Sequence, residues 1–94
     1  MSESLMSTYT RLPVSFERGA GAWLWDNAGK KYLDAISGVA VCNLGHAHPA
    51  IANAICRQAR ILVHTSNIYE IAKQRELGER LTHLSNMEKI FFCN

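Results

Sequence analysis

The chain has 94 residues, of which 48% are hydrophobic and 19% are charged, and its formal net charge is +2. This balance is typical of a folded globular chain and excludes a disordered one. The basic residues are scattered and no apolar stretch approaches the roughly 20 residues of a membrane span, so we expect neither a nucleic-acid-binding stripe nor a membrane anchor.

The cysteines and the first residues indicate a cytoplasmic protein. The 3 cysteines are an odd number without CxxC spacing, which is typical of reduced thiols. The opening segment MSESLMSTYTRLP lacks a basic start followed by an apolar run, so no secretory signal is expected.

The first predicted structural unit is a small antiparallel meander. Gly19 and Gly21 mark a turn and not a dinucleotide-binding fingerprint, because the third glycine and the immediate helix are missing. The run Asp26 to Gly29 predicts a second turn, since Asp at its first position bonds the backbone ahead and Gly at its last accepts a left-handed conformation. The three strands are predicted at Val14 to Arg18, Ala22 to Asp26 and Lys31 to Ala35.

Two helices are predicted after the meander. The small residues from Ser37 to Gly45 indicate an irregular segment, and Pro49 stands where a first helical position would be. Apolar residues then follow at helical spacing: Ile51, Ile55, Ala59 and Leu62. A second helix is predicted from about Glu70 to Leu84 and ends at Ser85-Asn86. Its predicted apolar stripe is Leu77, Leu81 and Leu84, and Gly78 inside it costs about 1 kcal/mol relative to alanine.

The end of the chain predicts a strand of a different kind. Ile90 to Cys93 is a continuous apolar run, which is typical of strands covered on both faces in parallel α/β sheets. A free-standing domain of this size should not finish on such a strand, because the neighbouring strands and covering helices are missing. We therefore expect the chain to be a fragment of a larger protein.

The histidine-rich segment contains residue types that bind metals. Cys42, His46, His48 and His64 could supply ligands to a zinc-dependent binding module. The spacing fits a structural role better: Gly45 makes a turn, His46 bonds backbone, and His48-Pro49 begins a helix. We therefore predict no bound metal. The alternative is that the chain is an independent binding or oligomerisation module, either with a metal or without one. The aromatic residues Trp23, Trp25, Tyr32 and Tyr69 are interpreted as core or interface filling.

Four stretches carry a family resemblance that runs from about Arg11 to Asn94. They are WLWDNAGKKYLDAISG, NLGHAHP, HTSNIY and KIFFCN. Together they resemble the N-terminal segment of class III pyridoxal-phosphate aminotransferases, the acetylornithine group above all.

The resemblance implies an α+β fragment. It combines the small antiparallel meander and two helices with the first strand of the α/β large domain of the fold-type I enzymes. Residues 1–64 would belong to the small domain and residues 65–94 would begin the truncated large domain. The parent enzyme would use pyridoxal phosphate to move the terminal amino group of N-acetylornithine to 2-oxoglutarate, in arginine biosynthesis.

The resemblance also implies roles for particular residues. A substrate-entrance segment would comprise Ser37, Gly38, Val39 and Ala40. An interface segment near the active site of a homodimer would comprise Thr65, Ser66, Asn67 and Tyr69. Asn94 would lie beside the cofactor, because the family's phosphate-binding loop follows that strand. Ornithine-preferring relatives carry an aromatic residue near Val39, so the aliphatic residue here implies room for an acylated substrate.

No catalytic residue is predicted within the chain itself. A pyridoxal-phosphate enzyme needs a lysine as Schiff-base partner, and the family's lysine lies far downstream. None of the lysines present fits that position: Lys30, Lys31, Lys73 and Lys89. We therefore expect this chain alone to be inactive and to bind no cofactor. Its partner would be the rest of the enzyme or a second copy of the chain.

Overall fold

The three-stranded meander forms as predicted, with shorter strands. The computed structural model describes residues 4–94. Residues 1–3 lie outside the described part; they begin the opening segment in which no secretory signal is expected. The antiparallel sheet has the order β1-β2-β3. Its strands are β1 (Phe16–Ala20), β2 (Trp23–Asp26) and β3 (Lys31–Leu33). Gly19 therefore lies in β1 and not in the turn, and the register of β1 against β2 shifts between Phe16 and Arg18.

The turn between β2 and β3 confirms the predicted chemistry of aspartate and glycine. Asp26 Oδ1 accepts the amides of Ala28 and Lys30, each at 2.9 Å. Its Oδ2 accepts the Tyr32 hydroxyl at 3.0 Å. Gly29 adopts a φ of +80°, which glycine tolerates without a Cβ penalty. These contacts hold the carboxylate form, so the pKa of Asp26 is lowered, chiefly by the Lys30 amide.

One face of the sheet alternates cations with tryptophan rings. The Arg18 guanidinium lies 3.5 Å from the ring centre of Trp25. The Lys31 ammonium lies 4.0 Å from Trp23 and 5.5 Å from Trp25. Both tryptophans therefore share a face, as the alternation predicted, and their rings attract the neighbouring cations through their quadrupoles.

Both predicted helices form. Helix α2 (Pro49–Ala59) begins at the proline, and the amide of Ala50 donates to His48 Nδ1 at 3.2 Å. Helix α3 (Ala72–Ser85) ends at Asn86, whose φ of 57° is the left-handed cap conformation. A short element that the sequence did not predict, α1 (Ser37–Ala40), occupies the segment expected to be irregular.

The packed face of α3 differs from the predicted leucine stripe. Leu77, Leu81 and Leu84 are 48%, 37% and 79% exposed. The half-buried positions of the helix are instead Gly78 and Thr82. A Cβ on Gly78 would lie 3.9 Å from the Phe92 ring, so the glycine marks where that ring approaches. With Ile90, Phe91 and Phe92, α3 borders a cleft of about 650 Å³.

The predicted strand from Ile90 to Cys93 is not formed among residues 4–94. A strand is defined by its ladder, and this segment has no hydrogen-bonded neighbour in the described part of the chain. Phe91 is 87% exposed, so residues 4–94 do not cover this segment on both faces as its apolar sequence predicts.

The chain divides into two compact units, residues 4–58 and Ala59–Asn94. Within the described residues no side chain, apolar or polar, is buried. None of the helices that residues 4–94 form is long and apolar enough to cross a membrane. The predicted division of the parent protein after residue 64 stays a prediction.

Candidate functional site

The segment predicted to line a substrate entrance is a left-handed turn. Its four residues all have positive φ: Ser37 59°, Gly38 63°, Val39 61° and Ala40 61°. Outside glycine this conformation costs roughly 1–2 kcal/mol per residue, because Cβ crowds the following carbonyl. Val39 is β-branched and 83% exposed, so no cover from residues 4–94 holds it in place. Backbone strain of this kind concentrates at ligand clamps and active sites.

Asp34 holds the start of this turn. Its Oδ1 accepts the amides of Ile36 at 3.0 Å and Ser37 at 2.8 Å. Its own amide donates to the Ala22 carbonyl at 2.8 Å, which ties the residue to the edge of β2. The Ser37 carbonyl then accepts the amides of Val41 and Cys42, both at 2.9 Å. The strained turn is therefore fixed to the sheet through one carboxylate.

His46 completes the arrangement from the loop after the turn. Its Nε2 lies 2.6 Å from Asp34 Oδ2, with the histidine side chain 20% exposed and the aspartate side chain 9%. An ionised carboxylate only accepts hydrogen bonds, so Nε2 carries the proton. The His46 main chain exchanges two hydrogen bonds with Gly21, at 2.8 and 3.0 Å. The sequence predicted the backbone bonds of His46 but not its ring contact.

Glycines make the approach of the His46 loop possible. A Cβ on Gly19 would stand 2.7 Å from His46 Cβ. A Cβ on Gly45 would stand 3.0 Å from the Gly21 carbonyl oxygen, and Gly45 also has a φ of +83°. The predicted turn at Gly45 is confirmed. Residue spacing does not indicate this contact, since Gly19 and Gly21 lie on a hairpin and Gly45 follows Gly21 by 24 residues.

The hydrogen bonds on Asp34 set its protonation. They hold the carboxylate form, so the pKa of Asp34 is lowered, first by the Ser37 amide and then by the His46 ring. A lowered pKa in the folded state stabilises the fold above the ordinary value of 3.8, and this stabilisation is lost as the pH falls through the lowered value. Near neutral pH Asp34 is therefore ionised and keeps both sets of partners.

A cleft of about 380 Å³ lies beside this cluster. Its lining includes Asp34, Ser37, Cys42 and His46. The Ser37 hydroxyl oxygen is shielded from solvent and has no hydrogen-bond partner among residues 4–94. The turn thus presents the exposed Val39 to solvent, while Ser37 lies against the cleft.

The remaining residues predicted for a site lie in the second unit, in the loop before α3 and at the chain end. Thr65 and Ser66 are half-buried, and Ser66 has a φ of 76°. Tyr69 is 68% exposed, and Asn67 and Asn94 are also exposed. Their roles at an interface and beside a cofactor stay predictions.

The metal-binding alternative has no support in the geometry. Within residues 4–94, no group of three His, Cys, Asp or Glu side chains comes together in a way that could hold a metal ion. His46 turns its Nε2 to Asp34, and His48 turns its Nδ1 to the start of α2. Both histidines therefore have structural partners in the first unit.

Comparisons with known proteins agree on one family. The family model described as aminotransferase class III matches residues 5–94. The acetylornithine aminotransferase of Nitrosomonas europaea is 57% identical over 90 residues, which are 96% of this chain and 23% of that protein.

Solved structures give the same result for the fold. The N-acetylornithine aminotransferase of Stenotrophomonas maltophilia superposes with a TM-score of 0.83 at 42% identity, over 92% of this chain and 24% of that one. The ornithine delta-aminotransferase of Plasmodium falciparum superposes with a TM-score of 0.84 at 31% identity, over 89% of this chain and 22% of that one. The backbone alone therefore does not separate acetylornithine aminotransferases from ornithine aminotransferases. The chain spans about a quarter of the length of these relatives.

Proposed function

The chain belongs to the class III aminotransferases, and from this we propose that it is the N-terminal part of an enzyme that moves the terminal amino group of N-acetylornithine to 2-oxoglutarate. The identity of 57% to an acetylornithine aminotransferase carries the proposal. The identity to an ornithine delta-aminotransferase of similar backbone is lower, at 31%. This difference in identity supports N-acetylornithine over free ornithine as the substrate. The reaction would serve arginine biosynthesis, in a cytoplasmic homodimer.

Pyridoxal phosphate, the cofactor that this family implies, would be held outside the present chain. We propose that none of the lysines of this chain is the covalent attachment site, and the two clefts described above, neither of which is lined by a lysine, support this. Lys30 and Lys31 lie over aromatic rings of the sheet, and Lys73 pairs with Glu76 at 2.8 Å. The cofactor would supply the electron sink for the transfer, and this chain would supply walls of the site.

The contribution of this chain would be to shape the entrance and the subunit interface. The turn α1 would present Val39 as a small aliphatic wall beside the acylated end of the substrate. The loop from Thr65 to Tyr69 would face the second subunit, and its exposed Tyr69 side chain supports that role. The tryptophan face of the sheet is partly open, with Trp23 40% exposed, and would receive a further covering element in the complete enzyme.

An assay of the complete enzyme tests this function. By complete enzyme we mean the polypeptide that carries this segment at the full length of its relatives. We expect glutamate formation from N-acetylornithine and 2-oxoglutarate, with kcat/KM about tenfold or more above that for ornithine, the range in which one substrate group discriminates. A preference for ornithine would contradict the assignment of the donor.

The 94-residue chain serves as the control in that assay. We expect it to give no turnover and no borohydride-reducible adduct with pyridoxal phosphate. A stoichiometric adduct confined to one of its lysines would show that the chain holds the cofactor by itself and would contradict the proposal.

Enlarging Val39 should narrow the entrance. We expect Val39→Phe in the complete enzyme to lower kcat/KM for N-acetylornithine by about tenfold or more while ornithine loses less, because only the acylated substrate extends to this wall. Val41→Phe is the matched control, since Val41 is 76% exposed and has an ordinary φ of −91°. Equal losses for both substrates would argue against an entrance role for Val39.

A further inference from the structure

The turn at the proposed entrance is strained, although the Ile36 and Ser37 carbonyls accept amides of residues 40–42. Three of its four residues are not glycine, and each one adopts a positive φ. Its Val39 is 83% exposed, so packing within the described residues offsets little of the strain. Something outside the turn must therefore select the left-handed conformation.

Asp34 is the group that does so from the sheet side. One of its oxygens accepts the two amides that lead into the turn, at 3.0 and 2.8 Å. An aspartate that accepts two successive amides ahead of it fixes the direction in which the chain leaves the strand. Because the Asp34 amide is bonded to Ala22, that direction is set relative to the sheet.

His46 fixes the orientation of the same carboxylate. Its Nε2 donates to Asp34 Oδ2 at 2.6 Å, so both carboxylate oxygens have hydrogen-bond partners and the orientation of the carboxylate is restricted. The histidine is itself immobilised by its main-chain pair with Gly21 and by the close approach of Gly19. The cluster therefore joins three segments that are distant in sequence: the hairpin, the end of β3 and the loop before α2.

We infer that Asp34 and His46 are positioning residues for substrate selection, which hold the left-handed turn and with it the aliphatic wall at Val39. Neither residue touches the substrate in this role. The inference rests on the proposed entrance function of the turn. It means that the Asp34–His46 pair influences which amino donor the enzyme accepts. This effect is separate from the contribution that such a pair makes to the stability of the fold.

The test compares two aspartates in the complete enzyme: Asp34, which follows β3, and Asp26, the last residue of β2. Asp34→Ala removes the anchor of the turn. Asp26→Ala is the matched control, because the Asp26 side chain also accepts two backbone amides and one side-chain hydrogen bond, all from the hairpin of β2 and β3. The quantity measured is the ratio of kcat/KM for N-acetylornithine to kcat/KM for ornithine.

We expect Asp34→Ala to lower this ratio by about tenfold, within the range that one substrate contact provides. Asp26→Ala should lower stability and leave the ratio unchanged. His46→Ala should also lower the ratio, and His46→Gln should restore much of it, because its amide can donate to the same oxygen. An unchanged ratio in Asp34→Ala, or an equal change in Asp26→Ala, would overturn the inference.

A second measurement separates this inference from the proposed function. Amide hydrogen exchange of residues 36–42 in the complete enzyme should accelerate in Asp34→Ala and His46→Ala, and stay unchanged in Asp26→Ala. If the enzyme accepts no acetylornithine but exchange changes as expected, the proposed function fails and the anchoring role stands. If exchange is unaffected, the positioning role fails whatever the substrate. Should Asp34→Ala not fold, His46→Ala carries the test by itself, because it leaves the Asp34 carboxylate in place and removes only the group that orients it.

Discussion

Replacing Gly45 by alanine should destabilise the complete enzyme much more than the same change at Gly29. Both glycines have nearly the same positive φ, +83° and +80°. A Cβ on Gly29 meets nothing within 4 Å, so Gly29→Ala reports the backbone strain alone, about 1–2 kcal/mol. A Cβ on Gly45 would stand 3.0 Å from both Cα and the carbonyl oxygen of Gly21, which are backbone atoms that cannot rotate away.

The expected difference between the two variants is the cost of overpacking, about 1–3 kcal/mol in the free energy of unfolding. Urea unfolding of the complete enzyme measures it. Gly19→Ala provides the complementary case: it has no positive φ, yet its Cβ would stand 2.7 Å from His46 Cβ and 2.8 Å from Cγ. If Gly45→Ala and Gly29→Ala shift the midpoint equally, the contact between the His46 loop and the hairpin is not tight in solution.

The second large effect concerns the apolar surface of the chain. Phe91 is 87% exposed and Leu84 is 79% exposed, and none of residues 4–94 is buried. Burying one such side chain is worth about 1.5–3 kcal/mol, and a whole domain is stable by only about 5–15 kcal/mol. We therefore expect the 94-residue chain alone to unfold without cooperativity in urea and to self-associate.

The complete enzyme should cover the same residues. We expect Phe91 to become buried there, so that Phe91→Ala costs about 3–5 kcal/mol in the free energy of unfolding. Urea melts followed by near-UV circular dichroism, with sedimentation to give the association state, distinguish the two cases. A 94-residue chain that is monomeric, unfolds cooperatively and protects Phe91 would contradict this expectation. The family resemblance would then describe ancestry and not architecture.

Local chemistry explains which elements the sequence predicted well. The turn from Asp26 to Gly29 needs only an acceptor side chain and a residue without Cβ, and both stand in the sequence at the right spacing. The start of α2 at Pro49 and the end of α3 at Asn86 likewise depend on one or two residues each. Such features could be predicted because their energy comes from neighbours along the chain.

The leucine stripe of α3 shows why other features of the fold could not be predicted from the sequence. Periodicity identifies an apolar face, but which face is covered depends on what lies beside the helix. In the described residues Phe92 approaches Gly78, and the leucines remain exposed. The strand expected at Ile90 to Cys93 fails for the same reason, because a ladder needs a second strand.

By itself the sequence determined the family, the meander, both helices, the start of α2 and the end of α3, since these follow from motifs and local spacing. Only the tertiary structure decided that α1 is left-handed and that Asp34 and His46 hold it. Small residues favour no particular hand of turn, and a positive φ at Val39 opposes its intrinsic preference. The preference is overridden by hydrogen bonds that the turn amides donate to Asp34, whose carboxylate is oriented by a histidine 12 residues later. Contacts over that distance arise from how the hairpin and the loop pack, which residue spacing does not encode.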